Sequence, residues 1–207
     1  MFDLDNTLVD RRSAVRTLAN ELYESDLLDK RSLAAKDAIR IFEDLDQCDN
    51  ANDKVRFFRW VLDAWGPMNR TPEELADWYQ SAPRNWYHPN LEIEQFLDQI
   101  SSGGIVWGIV TNGPASQIEK ANLMRVDAGA KCILVSDIYG ASKPSPSIFL
   151  EALHQLDDAM PADVLFVGDD PYTDILGASR IGMATTWIRH QRPWPRSLAP
   201  PDYVLNS

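Results

Sequence analysis

The chain has 207 residues, 44% of them hydrophobic and 10% aromatic, enough for one substantial core or a core domain carrying a smaller insertion. Its formal net charge of −11 repels nucleic-acid phosphates and anionic lipid heads, so no nucleic-acid polymer and no membrane surface is expected as a partner. A small anionic ligand stays compatible with that charge where a bound cation reverses the field locally.

In chain order, Met1 and Phe2 form a minimal strand ending at Asp3. The segment from about Asp10 to Pro89 contains no strand-like run and is rich in Leu, Ala, Glu, Lys and Arg. It predicts helices near Ser13–Leu28, Leu33–Leu45, Asp53–Trp65 and Thr71–Ser81. At the last of these Thr71, Pro72 and Glu74 compose a capping box with proline at the first helical position. From Leu91 onward helical and strand-like segments alternate. An amphipathic helix spans Leu91–Ile100 and a buried strand Ile105–Val110, followed by a helix over Pro114–Met124. Further strands are expected at Cys132–Val135, Val164–Val167 and Ala184–Ile188, with helices at Pro146–Leu156 and Ile175–Ile181. An edge strand at Tyr203–Leu205 follows the proline-rich loop Arg192–Pro201.

This alternation predicts an α/β fold, a Rossmann-like parallel sheet covered on both faces, with an inserted α-helical cap domain. The core would comprise residues 1–10 and 90–207 and the cap residues 11–89. Two isolated cysteines, Cys48 and Cys132, read as structural thiols in a reducing, cytoplasmic setting. No run is apolar enough to span a bilayer, and no secretory signal precedes the charged motif at Asp3.

Ligands of such sheets bind beyond the carboxyl ends of the strands, and four short motifs fall there. Phe2-Asp3-Leu4-Asp5-Asn6-Thr7-Leu8 places two carboxylates two residues apart. Thr111-Asn112-Gly113 follows the second strand, Lys143-Pro144 precedes the Pro146 helix, and Gly168-Asp169-Asp170…Asp174 ends the Val164 strand. Singly, each reads equally well as a turn or cap. Together, Asp3, Asp5, Asp169 and Asp174 in one crevice would repel one another strongly unless a cation sat among them. Oxygen ligands at that density suit Mg²⁺ better than zinc or copper. Lys143 adds a fixed positive charge, and Thr111 with the Asn112 and Gly113 amides offers donors to phosphate oxygens. Phosphoryl transfer needs such a set.

With these four motifs in this order, the chain resembles the haloacid dehalogenase superfamily of phosphohydrolases, in the branch with a helical cap between the first and second motifs. The resemblance implies that Asp3 is a nucleophile forming an aspartyl-phosphate and that Asp5 is the acid/base, its acid form favoured by neighbouring negative charge. It implies that Mg²⁺ is held by Asp3, the Asp5 main-chain carbonyl and Asp169, with Asp174 binding directly or through water. Thr111, Asn112 and Lys143 would bind the substrate phosphate, Lys143 also steadying the carboxylates. The expected substrate is a small phosphorylated metabolite, with the tail Ala184–Arg189 similar to nucleotide and flavin mononucleotide phosphatases, and the expected state is a monomer or homodimer. A dehalogenase, which would not need Asp5, and a phosphosugar mutase, for which this chain's cap carries no matching signature, stand as the weaker alternatives.

Two departures stand against this. Only two residues precede Asp3, and the chain stops at Ser207 before a helix usual in the family, as if it were trimmed or its start assigned too far downstream. A catalytically weak or inactive ligand-binding protein is therefore the competing expectation. His88, His154 and His190 read as surface or packing residues, and Arg11, Arg12, Lys54, Arg56 and Arg59 as a solvated helical face rather than substrate contacts.

Overall fold

A computed structural model describes residues 1–25, 33–48, 53–81 and 86–206. The chain divides into two compact units, residues 1–10 with 89–207 and residues 11–88. The first is the expected α/β sheet unit. Helix α5 (Leu91–Ser102) follows residues 11–88, its first turn capped by Asn90, whose side chain accepts from Glu92 N at 2.9 Å. Strand β1 (Ile109–Thr111) leads to α6 (Ser116–Leu123), and β2 (Ile133–Val135) to the short α7 (Ser136–Tyr139). After α8 (Pro146–Gln155) come β3 (Leu165–Gly168), a π-helical turn at Pro171–Ile175, α9 (Leu176–Ser179), β4 (Ala184–Ile188) and β5 (Tyr203–Leu205).

All the strand pairings are parallel: β1 with β2, β3 with β4, and β4 with β5. Phe2 joins the two groups, bridging Ile109 on one side and Val167 on the other. The order is thus β2, β1, the Met1–Asp3 segment, β3, β4, β5. The first strand is short but fully laddered. Phe2 N donates to the Gly108 carbonyl, Val110 N to that of Phe2, Asp3 N to that of Val167 and Val167 N to that of Met1, each at 2.9 Å. Neighbours on both sides thus supply sheet bonds to the segment that carries Asp3. Below the sheet Val110, Ile148, Phe149 and Phe166 form the core with Met1 and Cys132.

The expected strand at Ile105–Val110 is shorter in the structure. Ile105 and Val106 are 60% and 55% exposed and lie outside the strand, so an apolar run there reports composition rather than burial. The expected Ile175 helix begins earlier, since Asp170 accepts from the backbone N–H groups of Tyr172 and Thr173 at 2.8 and 2.7 Å and so caps the turn from Pro171.

The second unit is helical: α1 (Arg11–Glu24), α2 (Ala35–Cys48), α3 (Lys54–Trp65) and α4 (Pro72–Ser81). Residues 26–28 of the expected first helix and the Cys48 side chain lie outside the described residues. Thr71 and Glu74 exchange both bonds of the capping box, Thr71 N to Glu74 Oε2 at 2.8 Å and Glu74 N to Thr71 Oγ1 at 3.2 Å. The core is aromatic: Phe42 meets Phe57 edge-on at 5.0 Å, and the buried Trp65 donates to the Ala38 carbonyl at 3.0 Å. Several basic residues are engaged within this unit. Arg11 forks onto Asp46, Lys54 lies over the Phe57 ring, and Arg56 lies over Trp60. No described helix is long and apolar enough to cross a membrane.

Candidate active site

The carboxyl ends of the Met1–Asp3 segment, β1 and β3 bring Asp3, Thr111 and Asp169 to one edge of the sheet. Lys143 reaches the same place from the loop before α8. Its Nζ donates to Asp3 Oδ1 and Asp174 Oδ1, both at 2.6 Å, and the three side chains are buried. Beneath the ammonium lies the face of Phe166, 5.5 Å to the ring centre. The Asn112 side chain fixes this lysine by its peptide groups, accepting from Lys143 N at 2.8 Å and donating to the Lys143 carbonyl at 3.0 Å.

Asp3, Asp169 and Asp174 each present a carboxylate oxygen within 4.8 Å of the others. Asp174 is brought there by the π-helical turn, and its Oδ2 accepts from Asp170 N at 3.0 Å. Gly168 makes room for it, because a Cβ at that position would stand 2.4 Å from Asp174 Oδ2. Asp169 is held from the opposite side. Arg192 Nη2 donates to its Oδ2 at 2.8 Å and to its carbonyl at 2.6 Å, and Trp187 Nε1 donates to the same carbonyl at 2.8 Å.

The electrostatics follow from burial and crowding. Burial pushes the Asp3 carboxyl well above its ordinary range, and the negative charges of Asp174 and Asp169 add to the rise while Lys143 opposes it. Asp169 is raised to about 6, first by burial and then by Asp174, with Arg192 opposing. For Lys143 burial works against the charge, but the ion pairs and hydrogen bonds to Asp174 and Asp3 outweigh it and raise the ammonium above its ordinary value. Three carboxylates bonded to two cations leave one negative charge in excess. Hard oxygen donors gathered in a buried, net-negative pocket fit a divalent cation of the magnesium type.

Asp5 lies apart from this cluster. Lys120 Nζ donates to its two oxygens at 2.8 and 2.9 Å, and Gln117 Nε2 to Oδ2 at 3.1 Å. The surroundings expected to be negative thus contain a cation, contributed by α6. The Asn112 side chain is taken up by the Lys143 backbone, so it is not the part of Asn112 that offers a donor to a phosphate. The Gly113 N–H, another expected phosphate donor, is engaged by Ser136 Oγ at 2.9 Å. Thr111 Oγ1 is buried at the site and accepts from Gln117 at 2.9 Å.

Nothing in the sequence singles out Arg192, and His190, by its sequence a surface or packing residue, has its Nε2 against the Asn6 carbonyl. Both lie on the loop after β4, where His190 and Gln191 adopt left-handed φ values of 44° and 61°. Such backbone in non-glycine residues clusters at functional sites, but no residue type in the loop announces it. For Gln117 and Lys120 a signal existed. They are polar residues three apart on the buried face of α6, while Ile118 and Leu123 are 43% and 45% exposed.

The chain is 27% identical to the glyceraldehyde 3-phosphate phosphatase of Methanopyrus kandleri, covering 91% of this chain and 82% of that protein. Two proteins of the same name, from Pyrococcus furiosus and Pyrococcus abyssi, are 36% and 41% identical, but the match spans only 39% and 35% of their lengths. The pyrimidine 5'-nucleotidase of Escherichia coli is 36% identical over 67% of this chain and 63% of its own length. In fold, a hydrolase from Bacillus subtilis crystallised bound to magnesium superposes with a TM-score of 0.73 at 20% identity, covering 99% of this chain and 92% of that one. The model of the haloacid dehalogenase-like hydrolases matches residues 1–188, and the chain belongs to that family.

Proposed function

We propose that this protein is a phosphoric monoester hydrolase, attacking a small phosphate monoester with Asp3. The observation that carries the reading is the Lys143 ammonium seated 2.6 Å from both Asp3 and Asp174, beside Asp169. That arrangement holds a carboxylate still in a buried site, and a cation bound beside it would turn the net-negative field into one that favours an approaching anion.

Asp3, Asp169 and Asp174 with the main-chain carbonyl of Asp5 would hold Mg²⁺. Bound there, the ion would neutralise charge developing on the transferred phosphoryl group. In the first step an Asp3 oxygen attacks phosphorus, the bond from phosphorus to the ester oxygen breaks, and Asp5 gives that oxygen its proton. The products are a free alcohol and an acyl phosphate on Asp3. In the second step water attacks phosphorus, Asp5 takes its proton, and the bond between the Asp3 oxygen and phosphorus breaks. Inorganic phosphate leaves and both carboxyl groups return to their starting states. Lys143 orients Asp3 through both steps and, with Thr111, binds phosphoryl oxygens. Asn112 acts by fixing Lys143.

Three observations support an active enzyme over an inactive binding protein: the first strand is laddered on both sides, the three carboxylates converge, and the nucleophile is oriented. The relatives include a phosphatase of a triose phosphate and a pyrimidine nucleotidase. These share the phosphate ester and little of the leaving group, so the substrate class proposed is a small phosphate monoester, nucleotides and flavin mononucleotide included. The test is phosphate release from a panel of sugar phosphates, nucleoside monophosphates, flavin mononucleotide and aryl phosphates, in Mg²⁺ and in EDTA. Release from at least one ester in Mg²⁺, abolished by EDTA, is expected. No release anywhere in the panel would overturn the reading.

A further inference from the structure

Two buried polar residues of α6 converge on Asp5. Lys120 is 5% exposed and Gln117 4%, and together they place three hydrogen bonds on the Asp5 carboxylate, two from the ammonium and one from the amide. Gln117 is itself braced, donating to Thr111 Oγ1 at 2.9 Å and to the Asn112 carbonyl at 3.3 Å. Gly113 permits this. Its φ is 139°, which L side chains rarely adopt, and a Cβ there would press on Gln117 Cγ at 3.2 Å. The glycine of the second motif thus lets the following helix reach back to the first.

Burying an ammonium and an amide on the inner face of a helix that leaves Ile118 and Leu123 outside is costly for folding alone. The arrangement also gives the two aspartates separate anchors. Asp3 is held by Lys143 with Asp174 and Asp169, whereas Asp5 is held by Lys120 and Gln117, outside the three-carboxylate cluster. We infer that Lys120, braced by Gln117, is the positioning residue for the acid/base carboxylate: it keeps Asp5 off the metal ligands and aimed at the ester oxygen.

The inference rests on the proposed phosphatase reading and has a signature of its own. Proton donation matters more when the departing oxygen is more basic, and kcat/KM reports the step in which that oxygen leaves. Phenyl phosphate and 4-nitrophenyl phosphate have similar shapes, but the phenyl ester has the more basic leaving group. Lys120→Met is expected to lower kcat/KM for phenyl phosphate at least about 10-fold more than for 4-nitrophenyl phosphate, since general acid catalysis is worth roughly 100-fold or more. Lys120→Arg, which keeps the charge and its donors, should recover most of the difference. In an Asp5→Asn background, Lys120→Met should change the rates by no more than about twofold, because two residues acting through one group are not additive. Should Lys120→Met fail to fold, Gln117→Leu carries the same comparison with a smaller expected change in the ratio. Equal losses for the two esters, or a further large loss in the Asp5→Asn background, would overturn the positioning role. Wild type inactive on both esters and on the wider panel would instead overturn the phosphatase reading.

Discussion

Lys143 and Asp3, 140 positions apart in sequence, are joined by a 2.6 Å ion pair in which both side chains are buried. The same ammonium is 2.6 Å from Asp174, so one cation is shared by two carboxylates that would otherwise face each other without a counterion. The lysine therefore supports folding of the apoprotein.

Removing that cation exposes the cost of the cluster. Lys143→Met should destabilise the metal-free protein by roughly 3–5 kcal/mol, the range for breaking one side of a buried pair. Urea denaturation in EDTA measures it. Asp3→Asn in the same background should return part of the loss, since it removes one of the stranded charges.

The raised carboxyls give a pH dependence of definite sign. Between the ordinary 3.8 and about 6, Asp169 binds more protons folded than unfolded. Stability should thus fall as pH rises through that window, and the penalty is complete above about 6. At about 1.4 kcal/mol per pH unit this amounts to roughly 3 kcal/mol from Asp169, and Asp3 adds in the same direction. Thermal unfolding in EDTA at pH 4.5 and 7 should show a steeper fall for wild type than for Asp169→Asn. Added Mg²⁺ should raise the wild-type Tm at pH 7 and leave that of Asp169→Asn nearly unchanged.

Gly168 offers a change that leaves every charge in place. A methyl group there would overlap Asp174 Oδ2 at 2.4 Å, so the carboxylate must move. Gly168→Ala should cost about 1–3 kcal/mol, as overpacking does, and should weaken Mg²⁺ binding by calorimetry. Unchanged metal affinity would mean that Asp174 takes no part in holding the ion.

The parts of this molecule legible in sequence are those whose signal is local. Ala184–Ile188 forms β4 as expected, and Thr71 with Glu74 forms the capping box that their spacing predicts. The α/β class and the convergence of Asp3, Lys143, Asp169 and Asp174 follow from strand-end motifs in a parallel sheet, where topology gathers what sequence separates. Less legible were features that depend on distant partners. Two residues before Asp3 make an adequate strand only because Gly108, Val110 and Val167 bond them from both sides. Arg192 reaches Asp169 through a left-handed turn at His190 and Gln191 that no residue type there demands. Ile105 and Val106 misled in the other direction, being apolar and exposed.

The central claim is that Asp3 is the nucleophile. Wild type and Asp3→Asn, each mixed with Mg²⁺ and 4-nitrophenyl phosphate, are quenched in acid within a single turnover, and the peptides are analysed by mass spectrometry. The expected result is one phosphoryl group on the wild-type peptide containing Asp3, none in Asp3→Asn, and phosphate release in the variant lower by at least about 10³-fold, as for loss of a covalent nucleophile. Equal release from the two proteins, or a phosphoryl group carried on another residue, would contradict it.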